Sequence, residues 1–188
     1  MRITGGSNRG RILSTVPRGA RIRPTSDKVR EAIFSIFGQD LSGANALDLF
    51  SGTGSLALEA LSRGAASAVF VDHSHESIRL IRKNIKLCGY DGSTQILKGN
   101  LENGLPRALA NLEKQFDLVF LDPPYGFTGI PFVIEYLLNG NCFSPGARAL
   151  AETSNHTTLP ARVGGLRAVD SRAYGDTRIT LFMEKEAT

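Results

Sequence analysis

The chain has 188 residues, 41% hydrophobic and 21% charged, with 20 Gly and 8 Pro, a length suited to one domain with a sizeable core and a composition that excludes disordered, collagen-like and coiled-coil classes. No apolar run approaches the roughly 18 residues of a membrane span, and Met1-Arg2-Ile3-Thr4-Gly5-Gly6-Ser7 lacks the apolar stretch of a secretory signal, so a cytoplasmic protein with no membrane partner is expected. The net charge of +4 is uneven: eight cations against Asp27 alone give residues 1–30 a charge of +7, which leaves −3 for the rest, an asymmetry expected of a polyanion-binding arm on a body with another task.

In chain order, Arg2-Ile3-Thr4, a Gly-rich turn and Arg9-Gly10-Arg11-Ile12-Leu13 read as a hairpin, so residues 1–22 are expected to form a basic arm and 23–188 the main domain. Ser26 is suited to cap a helix with Val29, Ala32, Ile33, Ile36 and Phe37 on one face, ended by Gly38. Short apolar runs then alternate with helical ones. Ala46–Phe50 is a strand, followed by a glycine turn and a helix from Ser55 to Arg63. Ala68–Asp72 is the next strand, and its helix runs from about Glu76 to Cys88 with Ile78, Ile81, Ile85 and Leu87 as the apolar residues. Gln95–Leu97, Phe116–Leu121 and Arg148–Ala151 follow as strands.

The strand ends at Asp48, Asp72, Asn100 and Asp122 are 24, 28 and 22 residues apart, the length of a βα repeat. Arg167–Tyr174 and Thr177–Met183 read as a closing antiparallel hairpin joined at Gly175-Asp176. The expected fold is a doubly wound α/β sheet of seven mainly parallel strands, with that hairpin at one end and the small N-terminal hairpin as an arm. Cys88 and Cys142 are expected to be buried thiols. The spacings of His73, His75 and His156 match no zinc pattern, so no metal is expected.

Two constellations carry chemistry. Asp48-Leu49-Phe50-Ser51-Gly52-Thr53-Gly54 runs a strand through a glycine turn into a helix, where backbone approaches a ligand closely and helix N–H groups are unpaired. G-x-G-x-x-A, with Asp72 twenty residues past Gly52, is loosely compatible with a nicotinamide site. An acid inside the strand end favours S-adenosylmethionine instead, since Asp48 is suited to a ligand ammonium that NAD lacks; the bland reading of Asp48 is a cap on nearby backbone amides. Asp122-Pro123-Pro124-Tyr125 is more specific. It sits where open α/β sheets place ligands, and the two prolines stiffen the turn and leave carbonyls free to accept. An exocyclic amine has a delocalised lone pair; accepting its two N–H bonds at the Asp122 carboxylate and the Pro123 carbonyl draws it toward sp³ geometry, while Tyr125 stacks the base.

Together with Met1–Gly6, the block Arg23-Pro24-Thr25-Ser26-Asp27-Lys28-Val29-Arg30-Glu31-Ala32-Ile33-Phe34 and Tyr174-Gly175-Asp176-Thr177, these motifs resemble, over essentially the whole chain, the RsmD-type 16S rRNA guanine-N(2)-methyltransferases of the Rossmann-like class I fold. The resemblance implies methylation of guanine 966 on its exocyclic amine, with the small ribosomal subunit or an assembly intermediate as partner. It implies that Asp48, Phe50, Ser51, Gly52, Thr53 and Gly54 surround the methionine part of S-adenosyl-L-methionine. Asp72 would accept from the ribose, Asn100 and the Leu101 N–H would read the adenine, and His73 is the nearest candidate to lie over that ring.

Arg2, Arg9, Arg11, Arg21 and Arg23 would contact phosphates. Arg23 or Arg30 forming an internal pair with Glu31 or Glu59 is the opposing possibility, and Glu59 also reads as a buried structural carboxylate. Phe127 and Phe132, just past the D-P-P-Y turn, read as core, with a widened base platform as the other reading. Where family members often have Glu and Asp, this chain has Asp72 and Asn100, which keep an acceptor. A monomer is expected. The alternatives are an adenine-N(6) methyltransferase, a non-catalytic RNA-binding assembly factor and a nicotinamide oxidoreductase.

Overall fold

The computed structural model describes residues 1–15, 26–112, 114–124 and 126–184. Arg21, Arg23, Tyr125 and the boundary at residue 22 lie outside them. Ser26 caps α1 (Asp27–Phe37), its side chain accepting from the Val29 N–H, and Gly38 ends it at a φ of 98°. There follow β1 (Asn45–Leu49), α2 (Ser55–Ser62), β2 (Ser67–Asp72), α3 (His75–Cys88), β3 (Thr94–Lys98), α4 (Arg107–Ala110), β4 (Phe116–Leu121), α5 (Ile130–Asn139), β5 (Phe143–Ser154), β6 (Arg162–Val163), β7 (Leu166–Tyr174) and β8 (Thr177–Glu184).

One sheet of order β3-β2-β1-β4-β5-β8-β7-β6 organises the chain. β1 to β5 pair in parallel, and β8 enters antiparallel between β5 and β7. The seven expected strands are present, and two-residue β6 adds an eighth at the edge. Strand order reverses between β1 and β4, the switch point at which such sheets bind ligands beyond their carboxyl ends.

Helices cover both faces, which is why β2 and β4 carry the apolar runs Ala68–Val71 and Leu118–Leu121. Ala46, Phe70, Phe120 and Leu150 pack under α1, α2 and α3, while Leu47, Leu49, Leu121, Ala149 and Ala151 pack under α5. β5 continues to Ser154, past the expected end at Ala151, because β8 pairs with it to the tip. β8 is buried on both faces, Ile179 and Leu181 on one and Phe182 on the other. Leu87 stands 39% exposed. Ile78, Ile81 and Ile85 share a helical face, whereas a residue two positions past Ile85 points away from it; Cys88, three positions past, is buried with them.

The N-terminal hairpin is shorter than its sequence implies. A single bridge, Arg2 to Ile12, joins its limbs, with Ile3 N–H donating to the Arg11 carbonyl at 3.0 Å and Leu13 N–H to that of Met1 at 3.1 Å. Gly10 N–H also donates across to the Ile3 carbonyl at 2.8 Å, but the amides of Thr4, Gly5 and Ser7 turn to α2 instead. Ser7 N–H donates to the Ser62 carbonyl at 2.7 Å, and the Thr4 and Gly5 amides donate to the buried Glu59 carboxylate at 2.8 and 2.7 Å. Ile3 and Leu13 enter the core and Ile12 is exposed.

Candidate active site

Asp48 lies on the α1–α3 face near the end of β1, 1% exposed. Gly54, at the N-cap of α2, has no side chain to cap the helix, and the Asp48 carboxylate takes over by accepting from the Ala57 N–H at 3.2 Å. The bland reading of Asp48 is thus realised, and it holds the glycine turn against the strand that precedes it. Phe50 opens that turn at a φ of 61°, a left-handed conformation costly for a ring-bearing residue. Its ring rests on Phe127 with centroids 5.0 Å apart. Ser51 locks the turn to β2: its hydroxyl donates to the Asp48 carbonyl at 2.6 Å and accepts from the Val71 N–H at 3.0 Å. At Gly54, with a φ of 76°, an added Cβ would lie 3.0 Å from the Phe70 ring, so glycine is required for both conformation and packing.

Asp72 bridges the turn to the next loop, one oxygen accepting from the Gly52 N–H at 2.8 Å and the other from the Ser74 N–H at 2.8 Å. Each oxygen retains acceptor capacity toward a ligand hydroxyl. His73 extends into solvent with Nδ1 3.8 Å from Asp72. Asn100 is exposed, and its side-chain oxygen accepts from the Glu102 N–H at 3.0 Å as the cap of a short 3₁₀ turn beginning at buried Leu101. The two therefore stand together at the end of β3, with the Asn100 oxygen sharing its acceptor role with the cap.

The D-P-P turn leaves β4 beside β1, the Asp122 N–H reaching the Leu49 carbonyl at 3.5 Å, and it closes where the Phe127 N–H donates to the Pro124 carbonyl at 3.1 Å. Pro123 is half-buried and Pro124 exposed. Phe127 packs against the α5-side core as expected, and its ring, tilted at 59° to that of Phe50, ties this turn to the glycine turn. Phe132, expected in the core, is 67% exposed on α5.

Three carboxylates from adjacent strands, Asp72, Asp48 and Asp122, gather at the switch point. Burial pushes Asp48 well above the usual carboxylate range; the Ala57 N–H opposes this, and the negative fields of Asp122 and Asp72 add to it. Among the described residues no group of three such ligands is close enough to hold a metal. What the set suits is a diffuse cation, such as a ligand carrying ammonium and sulfonium groups, with hydroxyls to meet Asp72.

Because the folded state raises this pKa, the stability linked to Asp48 is fully present below the carboxyl group's ordinary value of 3.8 and is lost as pH rises through the folded value. Asp48→Asn, whose amide oxygen still accepts from Ala57, is therefore expected to raise the melting temperature at pH 7 and to lose that advantage as pH falls below 4. Differential scanning calorimetry of both proteins across pH checks it. An advantage that grows on acidification would refute it.

Of the arm's cations, Arg2 is 67% exposed with Nε 3.7 Å from Asp27. Arg9 and Arg11 are exposed, and among the described residues neither forms an ion pair. Arg30 is fully buried; its partners include Asp27 at 2.7 Å and the Arg2 carbonyl, not Glu31 or Glu59. Glu59 pairs with Arg63 at 2.9 Å. Sequence reasoning missed Asn84, which is fully buried on α3. Its amide donates to the carbonyls of Ser14 and Thr53 and accepts from the Ser14 N–H at 2.8 Å, joining the end of the arm to the glycine turn. A polar residue beside Ile81 and Ile85 on a buried helical face was the available signal.

The chain matches the family model described as Conserved hypothetical protein 95 over residues 1–183. It is 34% identical to the Bacillus subtilis protein "Putative rRNA methyltransferase YlbH" over 98% of this chain and 100% of that one. It is 36% identical to "Ribosomal RNA small subunit methyltransferase D" of Escherichia coli over 85% of this chain and 78% of that one. Among solved structures it resembles "Putative methyltransferase yhhF from Escherichia coli" with a TM-score of 0.82 and 26% identity, covering 100% of this chain and 99% of that one.

Proposed function

The chain belongs to the Conserved hypothetical protein 95 family, the RsmD-type methyltransferases with the class I fold, and on that premise we propose that it methylates 16S rRNA of the small ribosomal subunit at the exocyclic N2 amine of guanine 966. The observation that carries this reading is the Asp122-Pro123-Pro124 turn beside the glycine turn at the sheet's switch point. S-adenosyl-L-methionine supplies an electrophilic methyl on a sulfonium. Asp48 suits its ammonium group and Asp72 its ribose hydroxyls, Phe50 to Gly54 would border its methionine part, and Asn100 with the Leu101 N–H would read its base.

Asp122 accepts one N–H of the target amine and the Pro123 carbonyl the other, which withdraws the lone pair from the purine ring and aims it. Forming the N–C bond would break the methyl–sulfur bond, whose electron pair would stay on sulfur as a neutral thioether, and the amine would then shed one proton, for which the Asp122 carboxylate is the adjacent acceptor. Tyr125, next in sequence, supplies the ring that holds the base out of its helix. The protein acts as a cytoplasmic monomer, residues 1–22 serving as the RNA arm and 23–188 as the catalytic domain.

The test is transfer of a labelled methyl from S-adenosylmethionine to small subunits from cells lacking their own enzyme, followed by digestion to nucleosides. N(2)-methylguanosine is the expected product. N(6)-methyladenosine, or no transfer to these particles despite tight cofactor binding, would overturn the reading.

The arm contributes affinity through phosphates. Replacing Arg9 and Arg11 by Ala is expected to weaken RNA binding at moderate salt and to flatten the plot of log affinity against log salt by roughly 1 to 2 units. Fluorescence anisotropy over a salt series measures this, and an unchanged slope would remove the arm from the interface.

A further inference from the structure

One acid at the carboxyl end of the sheet has no part in the scheme above. Glu152 follows Ala151, and Ala151 pairs with Leu121 just before Asp122. The two acids therefore leave neighbouring parallel strands at the same level, about 4.8 Å apart in the pairing direction. Alternation along both strands sends them to one face: Leu121 and Ala151 pack on the α5 side, while Phe120 and Leu150 pack on the side to which Asp48 also belongs.

β5 runs on through Glu152, Thr153 and Ser154 past the end of its pairing with β4, and there these residues pair on β8 with Ile179, Arg178 and Thr177. On the β4 side this stretch borders the D-P-P turn. Glu152 is 8% exposed, and the Thr177 hydroxyl donates to its Oε1 at 3.5 Å. A nearly buried carboxylate is expensive to maintain, and this one stands beside the group that holds the target amine.

We infer that Glu152 selects guanine by accepting its N1–H while Asp122 accepts from N2. The inference deepens the proposed function and rests on it. Guanine presents two adjacent donors, N1–H and N2–H, which two side-by-side carboxylates match. Adenine presents a donor at N6 beside a lone pair at N1, and that lone pair faces a carboxylate with repulsion and no hydrogen bond. The D-P-P turn alone serves either amine, so the choice falls to the neighbour that meets N1. Accepting N1–H also leaves more electron density on the C2–N2 unit, which favours the nucleophile.

The decisive substrate is 2-aminopurine, which keeps the N2 amine, replaces N1–H by a lone pair and lacks O6, a loss common to both proteins that comparison with Glu152→Gln cancels. Small subunits are reconstituted with 16S rRNA ligated to carry either guanine or 2-aminopurine at the target, and kcat/KM is measured for each. The wild-type protein is expected to prefer guanine by about 10- to 100-fold. Glu152→Gln, whose amide both donates and accepts, is expected to bring the two within about threefold. Melting temperature and S-adenosylhomocysteine titration establish that the variant is folded and binds cofactor product, which a merely structural role would disturb without altering the base ratio.

Equal use of both bases by the wild type, or an unchanged preference in the variant, overturns the inference and leaves the proposed function standing. A folded, ligand-binding variant inactive on both bases also overturns it, because Glu152 would then belong to the transfer step itself. No transfer by the wild type to guanine-bearing particles overturns the proposed function, and the inference with it.

Discussion

Asp122→Ala is expected to lower the rate of methyl transfer by at least two to three orders of magnitude, the scale on which removal of one preorganised charge-stabilising partner acts, while S-adenosylmethionine binds within about threefold of its wild-type affinity. The division follows from position. The Asp122 carboxylate stands at the mouth of the switch point on a turn stiffened by two prolines, whereas the glycine turn is shaped by Asp48, Ser51 and Asp72 through bonds that do not include it. Its N–H contact with the Leu49 carbonyl is a backbone bond and survives the substitution. Single-turnover transfer with saturating RNA, set beside calorimetric titration of the cofactor, separates the two effects. Near-normal turnover would refute the role of Asp122. Loss of cofactor affinity in proportion to rate would move it from the amine to the methionine end. Asp122→Asn sharpens the test: the amide oxygen still accepts one N–H, but it cannot take the amine's proton or supply negative charge, so most of the loss should persist.

The parts of the fold legible in sequence are those governed by neighbours along the chain. βα spacing, the Ser26 cap, the glycine turn and the D-P-P motif declare themselves because periodicity, capping and proline restriction act within a few residues. What escaped depends on contacts between distant residues. The short hairpin is one case: its limbs read as paired strands, yet the amides of Thr4, Gly5 and Ser7 turn to Glu59 and Ser62, some 55 residues away. Arg30 is another: its internal-pair reading named Glu31 or Glu59, whereas the structure gives it Asp27 and, 28 residues away along the chain, the Arg2 carbonyl.

Phe50 adopts positive φ although it has no side-chain reason to do so; the turn is over-determined by Ser51 on one side and the Phe127 ring on the other. Glu152 sits beside the site only because β5 outruns β4, a length set by pairing with β8. Sequence therefore placed the acids at the strand ends but not the bonds that decide which of them remain available to a ligand.

Glu59→Ala is expected to be the most destabilising single change in the arm–body junction, at about 3–5 kcal/mol, the usual cost of removing one partner from a buried ion pair. Glu59 is fully buried. Its carboxylate accepts from the Thr4 N–H at 2.8 Å, the Thr4 hydroxyl at 2.7 Å, the Gly5 N–H at 2.7 Å and Arg63 Nη2 at 2.9 Å. Alanine would leave two backbone donors and a guanidinium without that acceptor. Arg63 would keep Gln39 and the face of the Phe34 ring, 4.9 Å from its Cζ, which offset only part of the loss.

At roughly 2–4 °C per kcal/mol for a chain of this length, the melting temperature should fall by about 6–20 °C. Arg63→Ala in the same background should cost less than the sum of the two single changes, because the second substitution removes the stranded charge. A fall of under about 2 °C, or strict additivity, would show that the pair is not the junction. The consequence reaches function because Glu59 lies five residues past Gly54 on α2. The helix that begins at the glycine turn is the one that anchors the arginine-bearing arm, so hydrogen exchange at Thr4, Gly5 and Ser7 should accelerate in the variant before the amides of β1 and β4 respond. RNA affinity should weaken with that local opening even at temperatures where the sheet remains intact.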